Sequence, residues 1–136
     1  MVNVSEQILD LSGWQVYDEV RLRYTFPDGA VLPPGCGLVL FGGGEPSGDF
    51  GGSLVFTAGS LGLNNTGDII TLLGPEGVEM VAVEFGSEGN QDQSLTRHPD
   101  LFGPLPLVLH SQLPGAEEAL FSPGTRIDGM VFGSCP

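Results

Sequence analysis

The chain of 136 residues contains no lysine, and its four arginines stand against 17 Asp and Glu, giving a formal net charge of −13. Proteins that bind nucleic acids gain much of their affinity from Lys and Arg contacts to phosphates, so this balance predicts no direct nucleic-acid binding. Mechanisms that require lysine, such as the P-loop and Schiff-base chemistry, are excluded as well. The three glycines at 42–44 are therefore a connector and not a phosphate cradle.

Long apolar runs are also missing, and the segment Leu38–Phe41 is typical of those present. A membrane span needs roughly 20 apolar residues, so we expect no membrane insertion. The first residues lack the basic and apolar regions of a signal peptide. The abrupt start indicates that the sequence is a piece of a longer protein.

The acidic composition has two interpretations, which the sequence leaves open. One is adaptation to high salt, in which carboxylates hold water and ions and self-repulsion destabilises the fold in dilute buffer. The other is an ordinary acidic extracellular domain. Hydrophobic residues make up 40% of the chain, so the acidity does not predict disorder.

Cysteine is scarce too, with Cys36 and Cys135 as the only two. One disulfide between them would close nearly the whole domain into a loop, which the chain-entropy model credits with about 4–5 kcal/mol. The alternative is two unrelated thiols. The sequence does not decide between them, because it does not show whether their Cα atoms approach to about 5.5–6 Å.

Glycine and proline, at 22 and 11 residues, are abundant and separate short apolar runs. Residues 20–26 alternate, which predicts a strand with Val20, Leu22, Tyr24 and Phe26 facing inward and Arg21, Arg23 and Thr25 facing outward. Residues 68–73 and 78–85 flank a turn at 74–77 and predict a hairpin. Many short strands with frequent turns predict an all-β fold, an antiparallel β-sandwich of about 7–9 short strands.

Four segments, in this order, resemble the lamin tail domain family, and its bacterial branch more than its nuclear-lamina branch. They are residues 9–14 (LDLSGW), 61–68 (LGLNNTGD), 92–97 (DQSLTR) and 122–125 (SPGT). The resemblance covers most of residues 8–128 and implies an immunoglobulin-like sandwich. The basic surface through which nuclear members can meet DNA is absent from this chain.

The residues in these motifs have structural roles that follow from their chemistry. Trp14 offers a large apolar body with one N–H that needs a partner, as a core residue does. Asn64 and Asn65 suit a turn before a strand, and Asp68 can accept backbone N–H bonds there. We expect Asp92 and Arg97 to pair across a loop.

The chain departs from the family at its start, since members open with a strand that is absent or trimmed here. The resemblance therefore implies an exposed sheet edge, which would favour strand addition or a homodimer.

Catalytic and metal sites are not predicted. His98 and His110 are the only candidates for acid–base chemistry, and no nucleophile elbow accompanies them. Zinc would need closely spaced Cys and His pairs. Glu88, Asn90, Asp92 and Ser94 alternate like the ligands of a calcium loop, but Gln93 and Pro99 stand where Gly and Glu are required. We predict no cofactor, with weak calcium binding at this ladder as the alternative.

The whole of 1–136 is expected to be a single domain without enzymatic activity. The resemblance implies a binding or attachment module of a larger bacterial protein, extracellular or at the cell surface, with a protein or cell-surface partner. Two alternatives stay open, a structural spacer and an accessory domain of a secreted hydrolase or nuclease.

Overall fold

The computed structural model describes residues 1–133 and 135, and its regular structure is almost entirely β-strand. The strands are β1 Leu9–Asp10, β2 Gln15–Tyr17, β3 Leu22–Thr25, β4 Val31–Leu32, β5 Leu38–Phe41, β6 Leu54–Thr57, β7 Asp68–Leu73, β8 Glu79–Phe85, β9 Leu95–Thr96 and β10 Val108–Leu109. Over these residues, the helical elements are 3₁₀ turns of three or four residues. The all-β prediction is confirmed. Of the ten strands in the described part of the chain, four have only two residues, too few to leave an alternating pattern in the sequence.

Membrane-crossing helices are not found in the part of the chain that the structure describes, because none of its helices is long and apolar enough.

The largest sheet has four antiparallel strands in the order β3-β2-β7-β8. β7 and β8 form the predicted hairpin, with Asp68 opposite Phe85 and Leu73 opposite Glu79. The turn Pro75–Gly77 joins them. β2 lies between β3 and β7, so Val16 pairs with both Tyr24 and Leu72. Central placement of β2 explains why Val16 is buried in the core.

One pair of strands departs from the predicted antiparallel arrangement. β5 and β6 run parallel, with Leu38 opposite Leu54 and Phe41 opposite Thr57. The connection between them, residues 42–53, is long enough to carry the chain back to the same end, as a parallel pair requires. On its other side the start of β5 is bordered by the first residues, where Asn3 N–H donates to the Cys36 carbonyl and Leu38 N–H to that of Met1.

The core draws its residues from the four-stranded sheet, from the pair β5-β6 and from the pair β1-β4 with the turns beside it. It contains Leu11, Trp14, Val16, Phe26, Leu32, Leu38 and Leu72, all buried. Phe26 meets Tyr24 and Phe56 edge-on, with ring centroids 5.1 Å and 5.3 Å apart. This arrangement of aromatic rings adds specific packing to the area that they bury.

A disulfide joins Cys36 and Cys135 across 99 residues, with their Cα atoms 5.2 Å apart. Cys36 is completely buried in the core. The bond therefore ties the C-terminal end of the chain to the start of β5, and a loop of this length corresponds to about 4–5 kcal/mol in the chain-entropy model.

The predicted inward face of residues 20–26 is wrong at its beginning. Val20 is 76% exposed and Leu22 is 40% exposed, whereas Phe26 is buried as predicted. β3 begins only at Leu22, and its pairing with β2 shifts register between Val16 and Tyr17. The register shift breaks the two-residue alternation from which the face was predicted.

Candidate functional site

The carboxylate of Asp68 lies at the start of β7, where the chemistry of an Asp in a turn predicts an acceptor of backbone hydrogen bonds. Asp68 is 3% exposed. It accepts bonds from the backbone N–H groups of Glu19 (3.0 Å), Asn64 (3.0 Å) and Ile69 (2.8 Å). Burial opposes ionisation of the carboxyl, but these donors outweigh it and lower the pKa of Asp68. Protein donors thus occupy this carboxylate, and its role is to hold the turn before β7.

Trp14 and Asn65, two other residues of the motifs, differ in their surroundings. Trp14 is buried in the core, but its indole Nε1 has no hydrogen-bond partner among the described residues. Asn65 is exposed and lines a small polar pocket with Asn90 and Asp92. Only Trp14 therefore belongs to the core.

A buried ion pair between Asp18 and Arg23 was missed by the sequence analysis. Arg23 Nε donates to Asp18 Oδ2 at 2.7 Å, and Asp18 Oδ1 accepts the backbone N–H groups of Val20 (2.9 Å) and Arg21 (2.7 Å). The bond from Arg23 is the main cause that lowers the pKa of Asp18 from 3.8 to about 2. An Asp at the start of a turn and an Arg just after the turn are the signal that the sequence offers.

The predicted ion pair between Asp92 and Arg97 is not formed. Arg97 Nη1 instead donates to the backbone carbonyl of Gly103 at 2.5 Å. Among the described residues the recorded salt bridge is the one between Asp18 and Arg23. Asp92 is left exposed, with its side chain beside a groove described below.

The two histidines lie in different environments. His110 is completely buried, with Nδ1 3.0 Å from the hydroxyl of Thr96, and its Nε2 has no partner in the described part of the chain. His98 is exposed and precedes Pro99. The contact with Thr96 joins β9 to the turn that follows β10. Because His110 is completely buried, a substrate cannot reach it.

The four residues that alternate like calcium ligands, at positions 88, 90, 92 and 94, do not converge on one point. Glu88 Oε1 accepts the backbone N–H of Gly86 at 2.8 Å, a bond that lowers the pKa of Glu88. Asn90 and Asp92 line the small polar pocket, whereas Ser94 faces the larger groove. Over residues 1–133 and 135, no three Asp, Glu, His or Cys side chains are grouped to hold a metal. Weak calcium binding stays a prediction.

The larger groove, with a volume of about 610 Å³, is the best candidate for a binding site. Its aromatic wall contains Phe41, Phe50 and Phe121, and its polar wall contains Asp92, Gln93 and Ser94. The Phe41 and Phe50 rings lie 5.2 Å apart, tilted by 56°. Phe121 is 62% exposed, so its ring adds accessible apolar surface to the groove.

Three segments of the chain build this groove, and close backbone contacts hold them together. Phe41 ends β5, and Phe50 begins the 3₁₀ turn Phe50–Gly52. Phe121 follows Leu120, whose carbonyl accepts the N–H of Ser94 at 2.9 Å. Gly124 lies directly against the backbone of Phe50, so closely that a Cβ atom would overlap the Phe50 carbonyl oxygen. This contact places residues 121–123 beside the phenylalanines of the other segment.

The polar wall is held by hydrogen bonds from the chain around β9 and β10. Gln93 Oε1 accepts the backbone N–H and the hydroxyl of Ser111, at 2.9 Å and 2.8 Å. His110 N–H donates to the carbonyl of Ser94 at 2.9 Å. With these neighbours fixed, Asp92 lines the groove, and no Arg of the described residues lines it beside Asp92.

The family model of the Lamin Tail Domain matches residues 1–87 of this chain. Phe41 and Phe50 lie inside the matched region, and Asp92 and Phe121 lie beyond it. No curated protein and no solved structure gives a significant match.

Proposed function

Because the chain belongs to the Lamin Tail Domain family, whose immunoglobulin-like domains are generally non-catalytic, we propose that it is a binding or attachment domain of a larger extracellular bacterial protein. The observation that carries this proposal is the groove with three phenylalanine rings, one of them largely exposed. Exposed apolar surface of this kind is characteristic of sites where proteins meet partners.

The disulfide and the charge support the location and the class of partner. Disulfides persist in oxidising compartments outside the cytoplasm, which favours an extracellular protein. A net charge of −13 without lysine opposes direct binding to nucleic acid. A protein or cell-surface partner fits both properties.

The test is to select, from a displayed library of random peptides, those that bind the immobilised full chain. We expect enriched peptides whose affinity falls at least about fivefold in Phe121→Ala, since truncating an aromatic residue at the centre of an interface commonly costs more than 1 kcal/mol. Phe102→Ala is the matched control, because Phe102 is 73% exposed and lies outside the groove.

Two results would overturn the proposal. One is a library from which no peptide is enriched, as expected for a spacer domain. The other is a set of peptides that bind both phenylalanine variants as tightly as the unmodified protein, which would place binding elsewhere.

A further inference from the structure

We propose that the groove binds the cationic side chain of an arginine- or lysine-containing peptide segment, with the phenylalanine rings against the cation and Asp92 paired with its charge. This inference rests on the proposed function and adds the chemistry of the partner. It depends on three properties of the groove, namely its rings, its charge and its backbone.

The rings provide a surface suited to a cation. Phe41 and Phe50 are in contact at a tilt, and Phe121, from the last third of the chain, completes the aromatic wall. A guanidinium or ammonium group within about 6 Å of a ring centroid is attracted by the negative face of the ring. The alkyl stem of Arg or Lys would at the same time cover apolar surface that is otherwise exposed.

The charge around the groove has one sign. Asp92 lines it, and Glu45 and Asp49 are exposed in the same connection that carries Phe50. Glu117 and Glu118 are exposed shortly before Phe121. A positively charged partner is attracted to such a surface and a negatively charged one is repelled.

The chain does not neutralise this groove with its own cations. None of the four arginines is among the residues that line it. Arg23 is paired with Asp18, Arg97 donates to Gly103, and the Arg126 guanidinium lies 5.2 Å from the ring centroid of Phe132. Arg21 is exposed in the bend before β3 and does not line the groove either. A cation that pairs with Asp92 would therefore come from a partner.

The backbone of the groove is held in conformations that side chains rarely adopt. Phe50 and Asp92, which line the groove, have φ values of 47° and 55°. They are two of the six positive-φ residues other than glycine in the described part of the chain. Such backbone costs of order 1 kcal/mol or more per residue, which is consistent with side chains placed in advance for a ligand.

The experiment is an NMR titration of the ¹⁵N-labelled chain at 0.15 M salt with two peptides, acetyl-GSGRTRGSG-amide and its neutral counterpart acetyl-GSGQTQGSG-amide. We expect the arginine peptide to shift the amide signals of residues 92–94 and 121–122 and to bind at least about fivefold more tightly than the neutral peptide, a difference that one charge pair and one cation–π contact supply together. Asp92→Asn and Phe121→Ala should each weaken it about threefold to fivefold. Asn tolerates the positive φ at position 92, so the first variant keeps the backbone.

The controls separate the groove from the general charge of the molecule. Asp28→Asn removes one negative charge from an exposed turn outside the groove and should leave the affinity unchanged. If Asp28→Asn weakens binding as much as Asp92→Asn does, the attraction is non-specific and the inference is wrong.

The remaining outcomes distinguish this inference from the proposed function. Equal binding of both peptides, sensitive to Phe121→Ala but not to Asp92→Asn, would overturn the cationic partner and leave the binding groove in place. A third titration uses cellohexaose, a neutral oligosaccharide. If cellohexaose shifts the groove signals and neither peptide does, the rings stack against sugars and the inference of a cationic partner is wrong. If no probe shifts these signals and no library peptide is enriched, both proposals fail.

Discussion

At the scale of single residues, Gly124 is the residue on which the shape of the groove depends most directly. It adopts φ of 81°, and its Cα lies against the carbonyl of Phe50, while Ser53 Oγ donates to its carbonyl at 3.0 Å. A side chain at this position would therefore meet two obstacles, the backbone conformation and the neighbouring segment. The segments that carry Phe50 and Phe121 would have to separate to accept it.

Gly124→Ala should lower the free energy of unfolding by at least about 1 kcal/mol more than Gly129→Ala, as measured by urea unfolding. Gly129 also has φ of 81° but no atom within 4 Å of its would-be Cβ, so it carries only the conformational cost. Equal losses in the two variants would show that the segment around Phe50 moves aside freely.

Single residues also show how far chemistry can be predicted without coordinates. The sequence predicts that Asp68 accepts backbone N–H groups, and two of its donors, Asn64 and Ile69, lie in or beside its own turn, whereas the third, Glu19, comes from a distant segment. Asp92 and Arg97 were expected to pair, yet Arg97 contacts the carbonyl of Gly103. Local hydrogen bonds follow from the sequence, whereas a longer side chain selects among partners that only folding brings near.

At the scale of elements, the turn between β2 and β3 depends on Asp18. Its carboxylate accepts two backbone N–H groups of the turn and the guanidinium of Arg23 on β3. Asp18 and Arg23 therefore join the turn to β3. Val20 lies in this turn and Leu22 begins β3 with a shifted register, so both are exposed although the alternating pattern predicts them inside.

Acid should weaken this turn in a defined pH range. The pKa of Asp18 is about 2 in the folded protein and 3.8 without its partners, so its stabilising effect is complete above pH 4 and is lost as the pH falls towards 2. We expect Asp18→Asn to lower stability at pH 7 and to reduce the loss between pH 4 and pH 2, measured by urea unfolding at each pH.

Asp28→Asn is the control for this experiment, because Asp28 is exposed in a turn and should keep the pH profile of the unmodified protein. Asp68 also has a lowered pKa, so some acid dependence remains in Asp18→Asn. An unchanged slope in Asp18→Asn would contradict the role given to the ion pair.

At the scale of the whole molecule, the excess of 13 negative charges acts on every part of the fold. Many carboxylates have no cationic partner, and Glu76, Glu79 and Glu84 are exposed on or beside β8. Repulsion among such groups favours expansion of the chain and is screened by salt. The disulfide acts in the opposite sense, because it restricts the unfolded chain.

Salt should therefore stabilise the protein if the acidic surface is an adaptation to salt. Between 0.1 M and 2 M KCl we expect the Tm to rise, by about 4 °C for each 1 kcal/mol that screening adds to the free energy of unfolding. The variant with Gln at positions 76, 79 and 84 should show a smaller rise, since it has three fewer charges to screen. A Tm that does not rise with KCl favours the ordinary acidic domain instead.

The sequence by itself determined the fold class, the hairpin of β7 and β8, the family and the excess of negative charge. These follow from local patterns, namely alternation, turn residues and composition, that persist whatever the rest of the chain does. The parallel pairing of β5 with β6 could not be predicted from the sequence, because a connection as long as residues 42–53 allows β6 to run either parallel or antiparallel to β5.

Only the tertiary structure decided where the groove lies and what it presents. Phe41, Asp92 and Phe121 are separated by 51 and 29 residues along the chain, and no local pattern relates them. Their proximity results from the contact of Gly124 with Phe50 and from the bond between Ser94 and Leu120. Long-range packing brings these residues together. The absence of lysine is a property of composition and can be read from the sequence, whereas the position at which a partner's cation would bind depends on this packing.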